Sequence, residues 1–293
     1  GLFDMVLVVG GEKMPKGFIQ TSGVEEDTDP EYLRQRCVGM PGPAFWALLC
    51  RQRMAEIGTT EEQLAKVAVK AHQVSVHNEN ARFRKEFSLE QVLGSNMVAD
   101  PLRLFEICPV SDGAAAAIIC SAEKARQLTQ NPVWVAGSAV ATMRADDGLP
   151  RGLAGVIPDG RTHHSEAAIA VSKALLQAGA GPKDLDLVEL HDCFATAELI
   201  HYDNLGLCEP GGAGDFIDSG APFRDGRLPV NVSGGLISKG HPIGATGVAN
   251  VYEVATHLRG EAGDRQIEGA KVGLAHVIGL GSSCGVHILE KAA

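Results

Sequence analysis

The alternation of hydrophobic and polar positions along the chain changes between a strand-like and a helix-like period, which predicts an α/β protein. Residues 4–11 are almost continuously apolar, as is typical of a strand covered on both faces. Helical spacing follows at 44–57, and Thr60 opens a second helix in which Gln63 completes a capping box. The strand rhythm is broken from about 12 to 110, so we predict an inserted, mostly helical lobe there.

From residue 113 onward, strand-like and helix-like segments follow one another in the manner of sheets flanked by helices. In chain order we predict a strand from 113, a strand after 132, a helix at 165–178 stopped by Gly179, a strand ending at 191, a helix at 248–258 and two strands within 270–289. Small side chains at 113–117 let the first of these strands lie close to its neighbours.

A weak internal repeat links the two ends of the chain. The segment GLFDMVLVVGGE resembles GDRQIEGAKVGLAHVIGLG, and GAAAAIICSAEKA resembles CGVHILEKA. We therefore predict two halves of like topology, residues 1–122 and 123–293, with the lobe inserted into the first half. On this interpretation the first half lacks its opening strands, and a chain that starts at Gly1 within a strand-like run begins inside a fold.

Composition and charge narrow the class of protein. Hydrophobic residues make up 45% and charged residues 21% of the chain, as in soluble globular proteins. A net charge of −10 argues against nucleic-acid binding, and no apolar run approaches the ~20 residues of a membrane span. Seven cysteines without framework spacing indicate a reducing compartment. With no leader-like segment at the start, we expect a cytoplasmic protein.

The sequence NVSGGLISKGHPIGATG, at 231–247, is the strongest candidate for a reactive site. Its glycines permit positive φ and close approach of the backbone to a ligand, and the following helix would aim free N–H groups at whatever His241 faces. His241 is therefore a candidate catalytic residue. A solvated histidine in a glycine-rich turn is the alternative.

A second candidate site is HDCF, where a buried strand ends in His191, Asp192, Cys193 and Phe194. Open α/β sheets bind ligands at such carboxyl ends. Histidine titrates near neutrality, and a cysteine beside a cation becomes a thiolate, so His191 and Cys193 are suited to acid–base work. The alternative is a helix cap at Asp192 with ordinary neighbours. Metal binding by these residues and His241 is not supported by their spacing, and we predict no metal site.

A basic cluster crowds residues 70–85 of this acidic protein. It comprises Lys70, His72, His77, Arg82, Arg84 and Lys85. Arginine and lysine bind phosphate oxygens well, so we predict a clamp for a phosphate-bearing ligand, with His72 and Arg82 among its contacts. A solvated charged face is the alternative.

These motifs together resemble the sterol-carrier-protein-2 type of the thiolase superfamily, whose members are also called lipid-transfer proteins or acetyl-CoA acetyltransferases. The likeness lies in VELHDCFATAELI, NVSGGLISKGHPIGATG and LRGEAGDRQIEGAKVGLAHVIGLG, and KAHQ, ARF and CPVSDGAAAAI extend it over essentially the whole chain. HDCF replaces the Asn-Glu-Ala-Phe box of most thiolases, which is the mark of this subfamily. The resemblance implies a thiolase-like α/β fold with two similar βαβαβ-type halves and mixed sheets in layers.

The resemblance also implies thioester Claisen condensation or its reverse on 3-oxoacyl-CoA. His241 matches the histidine that activates a nucleophilic cysteine, His191 the oxyanion or water-positioning residue, and Cys193 the acid–base thiol. Coenzyme A would lie across the lobe as a substrate, with no tightly bound cofactor, and a homodimer or homotetramer is implied. The implied substrate or coenzyme A contacts are His72, Arg82, Ser111, Asp112, Asn231, Gly234, Gly235, Gly240, Gly279 and Gly281.

Two departures from the family pattern keep other functions open. The family places its nucleophilic cysteine at the start of the helix that leads into GLFDMVLVVGGEKM, and this sequence begins at that segment. Gly279-Leu280-Gly281 also replaces the usual Cys-x-Gly box, with Cys284 following. The alternatives are a non-catalytic acyl-CoA-binding subunit and a thiolase-like lyase that cleaves C–C bonds by retro-aldol chemistry. The need for a partner protein stays open for each function. The retained HDCF and Gly-His-Pro boxes favour the transferase.

Overall fold

The computed structural model describes residues 2–14, 37, 39, 41–142, 165–279 and 283–292. Strand β1 (Met5–Glu12) pairs antiparallel with β4 (Gly113–Cys120), with Met5 opposite Cys120 and Glu12 opposite Gly113. Both strands confirm the sequence prediction. The chain between them forms the lobe.

The part of the lobe that the structure describes is mostly helical, as predicted. It contains α1 (Gly42–Ile57), α2 (Glu61–Ser75), α3 (Leu89–Leu93) and a small pair of strands, β2 (Met97–Ala99) and β3 (Leu102–Arg103). The predicted capping box opens α2: Thr60 Oγ1 accepts from Gln63 N at 3.2 Å and Gln63 Oε1 accepts from Thr60 N at 3.0 Å. These bonds satisfy two backbone donors that a helix start leaves open.

The rest of the chain builds a four-stranded mixed sheet in the order β5-β8-β7-β6. Strand β8 lies antiparallel to β5 and β7, and β7 lies parallel to β6. The strands are β5 (Val133–Thr142), β6 (Leu187–Glu189), β7 (Val272–Gly279) and β8 (Ser283–Lys291), and the helices are α4 (Ala122–Leu128), α5 (Glu166–Ala178), α6 (Ala195–Asn204), α7 (Ala213–Asp218) and α8 (Ile243–Arg259).

The helix that follows the glycine loop, α8, joins the two sheets. It packs against β1 and β4 on one side and against β7 on the other. Gly10 of β1 lies so close to α8 that an added Cβ would overlap the carbonyl oxygen of Gly244. Both strand pairs that flank α8, β1 with β4 and β7 with β8, are antiparallel, in agreement with the internal repeat.

One face of the β1–β4 pair is uncovered within the described chain. Leu7 and Val9 are 63% and 64% exposed, and Ile118 opposite Leu7 is 64% exposed. The expectation that residues 4–11 are covered on both faces is therefore wrong for the described chain. An apolar strand sequence predicts burial on both faces, but α8 packs against only one face of this pair.

The described part of the chain contains no helix that is both long and apolar enough to span a membrane.

Candidate active site

The HDCF segment lies between β6 and α6, at the carboxyl end of a strand as predicted. Strand β6 ends at Glu189 and helix α6 begins at Ala195. The lobe holds this segment from one side, because Cys108 N donates to Cys193 O at 3.0 Å. The sheet holds it from the other, because His191 N donates to His276 Nδ1, on β7, at 3.2 Å. The backbone of HDCF is thus fixed by neighbours on two sides.

The glycine loop is fixed by close approaches to protein atoms. Gly234 has φ 99°, and an added Cβ would lie 2.6 Å from Ser75 Cβ. Gly235 has φ 59°, and an added Cβ would overlap the Asp192 carboxylate. Gly240 has φ 115°, and an added Cβ would lie 2.7 Å from Ser111 Oγ. In the structure these glycines let α2, HDCF and residue 111 meet the loop, which is a different use from the ligand approach that we expected.

The two loops bring His191 and His241 together. The ring centroids are 4.9 Å apart and the ring planes stand at 87° to each other. His191 is 7% exposed, His241 8% and Cys193 7%. Each loop follows an apolar strand and precedes a helix, which predicts that both lie at one edge of a sheet, and the structure confirms that the two imidazoles meet. Their meeting depends on a parallel bridge between Val110 and His241 as well as on the sheet.

The hydrogen bonds of Thr246 fix the tautomer of His241. The Thr246 hydroxyl donates to Pro242 O at 3.0 Å, and its oxygen lies 2.8 Å from His241 Nδ1. Since the hydroxyl proton is used on the carbonyl, Nδ1 carries the proton that reaches Thr246, and Nε2 of the neutral ring is left as the basic nitrogen. This bond also sets the direction in which Nε2 points.

Burial keeps the histidines of the site neutral. It lowers the pKa of His191 to about 4. It also lowers the pKa of His241 well below its ordinary value, and His191 and Lys239 add to that effect. A neutral imidazole at physiological pH accepts a proton, so the pair starts as a base.

Cys193 is held in its protonated form. Burial raises the pKa of its thiol well above the ordinary value, with Cys108 and Asp192 adding to the shift. The expectation that an imidazolium favours a Cys193 thiolate is wrong, because the neighbouring rings are neutral. Burial, with Glu198 next, also raises the pKa of Asp192, to about 8. Its Oδ1 accepts from Leu236 N at 2.7 Å and ties HDCF to the glycine loop.

Asn231 joins the loops instead of facing a ligand. It is fully buried; its Oδ1 accepts from Leu190 N and its Nδ2 donates to Glu198 Oε2, both at 2.8 Å. Its predicted role in substrate binding is thereby corrected to a role in loop structure, since both ends of its amide are occupied.

The predicted phosphate clamp divides into buried and exposed members. His72 is 2% exposed, its Nδ1 lies 3.0 Å from Lys85 O, and its ring packs edge-on against Phe87 at 4.7 Å. It therefore belongs to the packing of the lobe, which corrects its assignment as a ligand contact. Arg82 is exposed, and its backbone N donates to Lys239 O, in the glycine loop, at 2.9 Å. Its role in binding a phosphate stays a prediction.

The remaining predicted contacts lie around the same loop. Ser111 is 5% exposed and packs on Gly240, while exposed Asp112 accepts from Met14 N at 2.9 Å. At the start of α8, the backbone N–H of Gly244 already has a partner, because it donates to Glu12 Oε2 at 3.1 Å. The expectation of free N–H groups there is thus wrong for Gly244. Gly279 ends β7, where an added Cβ would lie 2.6 Å from Ser283 Oγ, and Gly281 lies outside the described residues.

Sequence reasoning missed the residues that support the two loops. Lys70 was grouped with the basic cluster, but it is 1% exposed and forms an ion pair with fully buried Glu198 at 2.9 Å. Its place on the apolar face of α2, between Val67 and Val74, was the available signal. His276 and Thr246 carried no such signal, because their partners come from other parts of the fold or from the local turn.

The fold and the site define a class, and the chain belongs to the thiolase family. Residues 1–123 match the family described as "Thiolase, N-terminal domain", and residues 158–291 match "Thiolase C-terminal domain-like". The chain has the thiolase fold, with mixed α/β content.

Named relatives refine this placement. The chain is 41% identical over 294 residues to an acetyl-CoA acetyltransferase of Methanothermobacter thermautotrophicus, covering 99% of this chain and 74% of the relative. It is 38% identical over 291 residues to sterol carrier protein 2 of Bos taurus, covering 97% of this chain and 53% of that protein. The chain thus spans about three quarters of the first relative and about half of the second. Among solved structures, the "Ltp2-ChsH2(DUF35) aldolase" is similar with a TM-score of 0.83 at 26% identity, over 98% of this chain and 72% of that one.

Proposed function

We propose that this chain carries the acyl-CoA site of a thiolase-type acyltransferase, which cleaves 3-oxoacyl-CoA with a thiol or condenses two acyl thioesters. The observation that carries the proposal is the pair of buried imidazoles, His191 and His241, 4.9 Å apart where HDCF meets the glycine loop. The relative named acetyl-CoA acetyltransferase supports the same class of reaction. The substrate would be an acyl thioester of coenzyme A, with exposed Arg82 at its phosphates.

In the cleavage direction, His241 is the base for the incoming thiol. The thiol gives its proton to Nε2 of His241, and the sulfur attacks the 3-oxo carbon of the substrate. The carbonyl electrons move onto the 3-oxo oxygen, which becomes negative. We assign an N–H of His191 as the donor that stabilises this charge. When the C=O bond forms again, the C2–C3 bond breaks and its electron pair stays on C2 as the enolate of the departing acyl-CoA.

Cys193 supplies the proton that this enolate needs. Its thiol is protonated at rest, so it can donate to C2 and become a thiolate. The proton taken up by His241 then restores the thiol, and the sum of protons balances. Condensation is the same path in reverse, with the Cys193 thiolate removing the α-proton. At rest His241 is neutral and Cys193 carries its proton, and these are the states that cleavage requires.

The test is thiolysis of acetoacetyl-CoA by coenzyme A, followed through loss of the ultraviolet absorbance of the 3-oxoacyl thioester. The protein should be expressed with any coding sequence that precedes Gly1. Cys193→Ala should lose about 10²–10⁴-fold in rate, as expected for a missing acid–base group. Cys284→Ala is the control, because Cys284 is buried in β8 and burial raises the pKa of its thiol. An inactive Cys284 variant together with an active Cys193 variant would contradict the assignment.

A retro-aldol lyase is the second candidate, and the likeness to the Ltp2-ChsH2(DUF35) aldolase favours it. Such a reaction removes the hydroxyl proton of a 3-hydroxyacyl thioester and protonates the resulting enolate, without a thiol nucleophile. His241 and Cys193 would serve as its base and acid. The need for free coenzyme A separates the two functions: thiolysis requires it and yields two thioesters, whereas retro-aldol cleavage proceeds without it and yields a carbonyl compound and one thioester.

Three further expectations remain part of this proposal. They are a homodimer or homotetramer, a cytoplasmic location, and the division into units 1–122 and 123–293. A non-catalytic acyl-CoA-binding subunit is the outcome if coenzyme A thioesters bind and neither assay shows turnover.

A further inference from the structure

A fully buried carboxylate, Glu198, lies beneath the two catalytic loops among three hydrogen-bond donors. Its Oε1 pairs with Lys70 Nζ at 2.9 Å and accepts from the hydroxyl of Tyr202. Its Oε2 accepts from Asn231 Nδ2 at 2.8 Å. Lys70, Glu198, Tyr202 and Asn231 are each at most 1% exposed. A carboxylate in such a place is tolerated only because its partners replace water, so its geometry is closely constrained.

Asn231 carries this constraint to both loops. Its Oδ1 accepts from Leu190 N at 2.8 Å, and Leu190 directly precedes His191. Its backbone is the first of the glycine loop and has φ 57°, a left-handed conformation that is costly for a residue with a side chain. Lys70 adds a second hold, because its Nζ also donates to Val230 O at 2.6 Å. One buried pair therefore fixes the start of HDCF relative to the start of the loop that bears His241.

We infer that Glu198 is a positioning residue of the active site, acting through Asn231 to set the separation of His191 and His241. The inference rests on the proposed function, since it concerns how that site is held. Lys70 contributes to the same positioning, because its ammonium pairs with Glu198 and donates to Val230 O. A displacement of about 1 Å between catalytic groups costs on the order of 10²-fold in rate, so a change at Glu198 should appear in turnover although the residue does not touch substrate.

The first variant is Glu198→Gln, which keeps the shape of the side chain. An amide offers one acceptor oxygen in place of two, and its NH₂ group faces donors, so Asn231 Nδ2 loses its partner. We expect kcat for thiolysis to fall about 10- to 100-fold with little change in KM. We also expect hydrogen exchange at the Leu190 amide to accelerate at least about 10-fold, because Asn231 no longer holds it. The amide of Leu274, in the centre of the four-stranded sheet, should exchange as in the wild type.

The second variant adds Asn231→Asp, which moves the carboxylate across the same contact. The amide at 198 then donates to the carboxylate at 231, which still accepts from Leu190 N. Glu198→Gln/Asn231→Asp should recover at least about tenfold of the lost kcat and the slow exchange of Leu190. Asn231→Asp alone sets two carboxylates against each other and should be the least active of the three. If Glu198→Gln does not fold, the comparison of the double variant with Asn231→Asp carries the test.

The control is an equally buried ion pair that touches neither loop. Arg53 and Asp203 lie 2.6 Å apart and are 3% and 4% exposed. Asp203→Asn should lower the melting temperature without a change in kcat or in Leu190 exchange. Folded Glu198→Gln with wild-type kcat and wild-type Leu190 exchange would overturn the inference, as would a double variant no better than Asn231→Asp. If the wild type turns over no thioester, the proposed function fails, and the Leu190 exchange still decides whether Glu198 holds the loops.

Discussion

Lowering the pH from 6.5 to 5 should destabilise the fold, because it protonates histidines in the unfolded chain that the folded chain holds neutral. Six histidines are buried with a lowered pKa: His72, His191, His201, His241, His257 and His276. The pKa is about 4 for His72, His191 and His257 and about 3 for His201, with burial as the largest cause in each case. Each contributes stability that is present above the unfolded pKa of ~6.5 and lost as the pH falls toward the folded pKa.

Buried carboxyl groups oppose this effect. Burial raises the pKa of Glu106 to about 7 and of Asp192 to about 8, and it also raises that of Glu189. Glu106 and Asp192 bind protons in the folded state at pH 5.5, while their unfolded counterparts, with pKa near 4, do not. Their contribution is present below the unfolded pKa and is lost as the pH rises through 7 to 8.

The magnitude follows from counting protons at pH 5.5. The four histidines with a folded pKa of about 3 or 4 bind about four more protons in the unfolded state, and Glu106 and Asp192 bind about two more in the folded state. The net of about two protons, at ~1.4 kcal/mol per proton and pH unit, gives a loss of roughly 3 kcal/mol per pH unit. With about 2–4 °C per kcal/mol for a protein of this size, the melting temperature should fall by roughly 6–12 °C per pH unit. Stability should be greatest near pH 6.5–7.

The assay is thermal or denaturant unfolding at fixed ionic strength from pH 5 to pH 8. His201→Leu should reduce the pH dependence below pH 6 by about one proton, close to 1.4 kcal/mol per pH unit, because His201 is buried and lies outside the imidazole pair. His77→Gln changes an exposed imidazole and should leave the slope as it is. A fold that is equally stable or more stable at pH 5 than at pH 6.5 would refute the reasoning.

Three shorter predictions test the site and the surface. Thr246→Val removes the acceptor for His241 Nδ1–H and should lower kcat about tenfold or more with the fold intact. The control is Thr256→Val, which should leave kcat unchanged, because the Thr256 hydroxyl donates to Tyr252 O within the same helix. Equal rates for both variants would contradict the tautomer assignment. Gly235→Ala forces a Cβ onto the Asp192 carboxylate at a positive φ and should cost at least about 1–3 kcal/mol in unfolding free energy, against near-neutral Gly11→Ala, where space is open and φ is ordinary. Residues 1–293 should self-associate through the open face of β1 and β4, and Leu7→Lys with Val9→Lys should shift light-scattering mass toward the monomer, so a monodisperse wild-type monomer would refute this expectation.

Part of the fold and part of the site could be predicted from local pattern alone. The capping box of Thr60 and Gln63 opens α2, and Ser165 and Gly179 bound α5, because caps depend on residues within a few positions of each other. The strand ends that carry His191 and the loop that carries His241 were predicted for the same reason. Their meeting was predicted because sheet topology places such ends at one edge.

The tertiary structure alone decided how the charged and polar side chains are used. Lys70 and His72 belong by sequence to one basic cluster, yet the fold buries both, one against Glu198 and the other against Phe87, and leaves Arg82 exposed. Cys193 was expected as a thiolate, but burial raises the pKa of its thiol well above the ordinary value, and the charges of Cys108 and Asp192 add to the shift. The physical reason is the same in each case. Hydrophobic period and capping are local properties of the chain, whereas burial, dielectric and the partner of a polar atom are set by segments far apart in sequence.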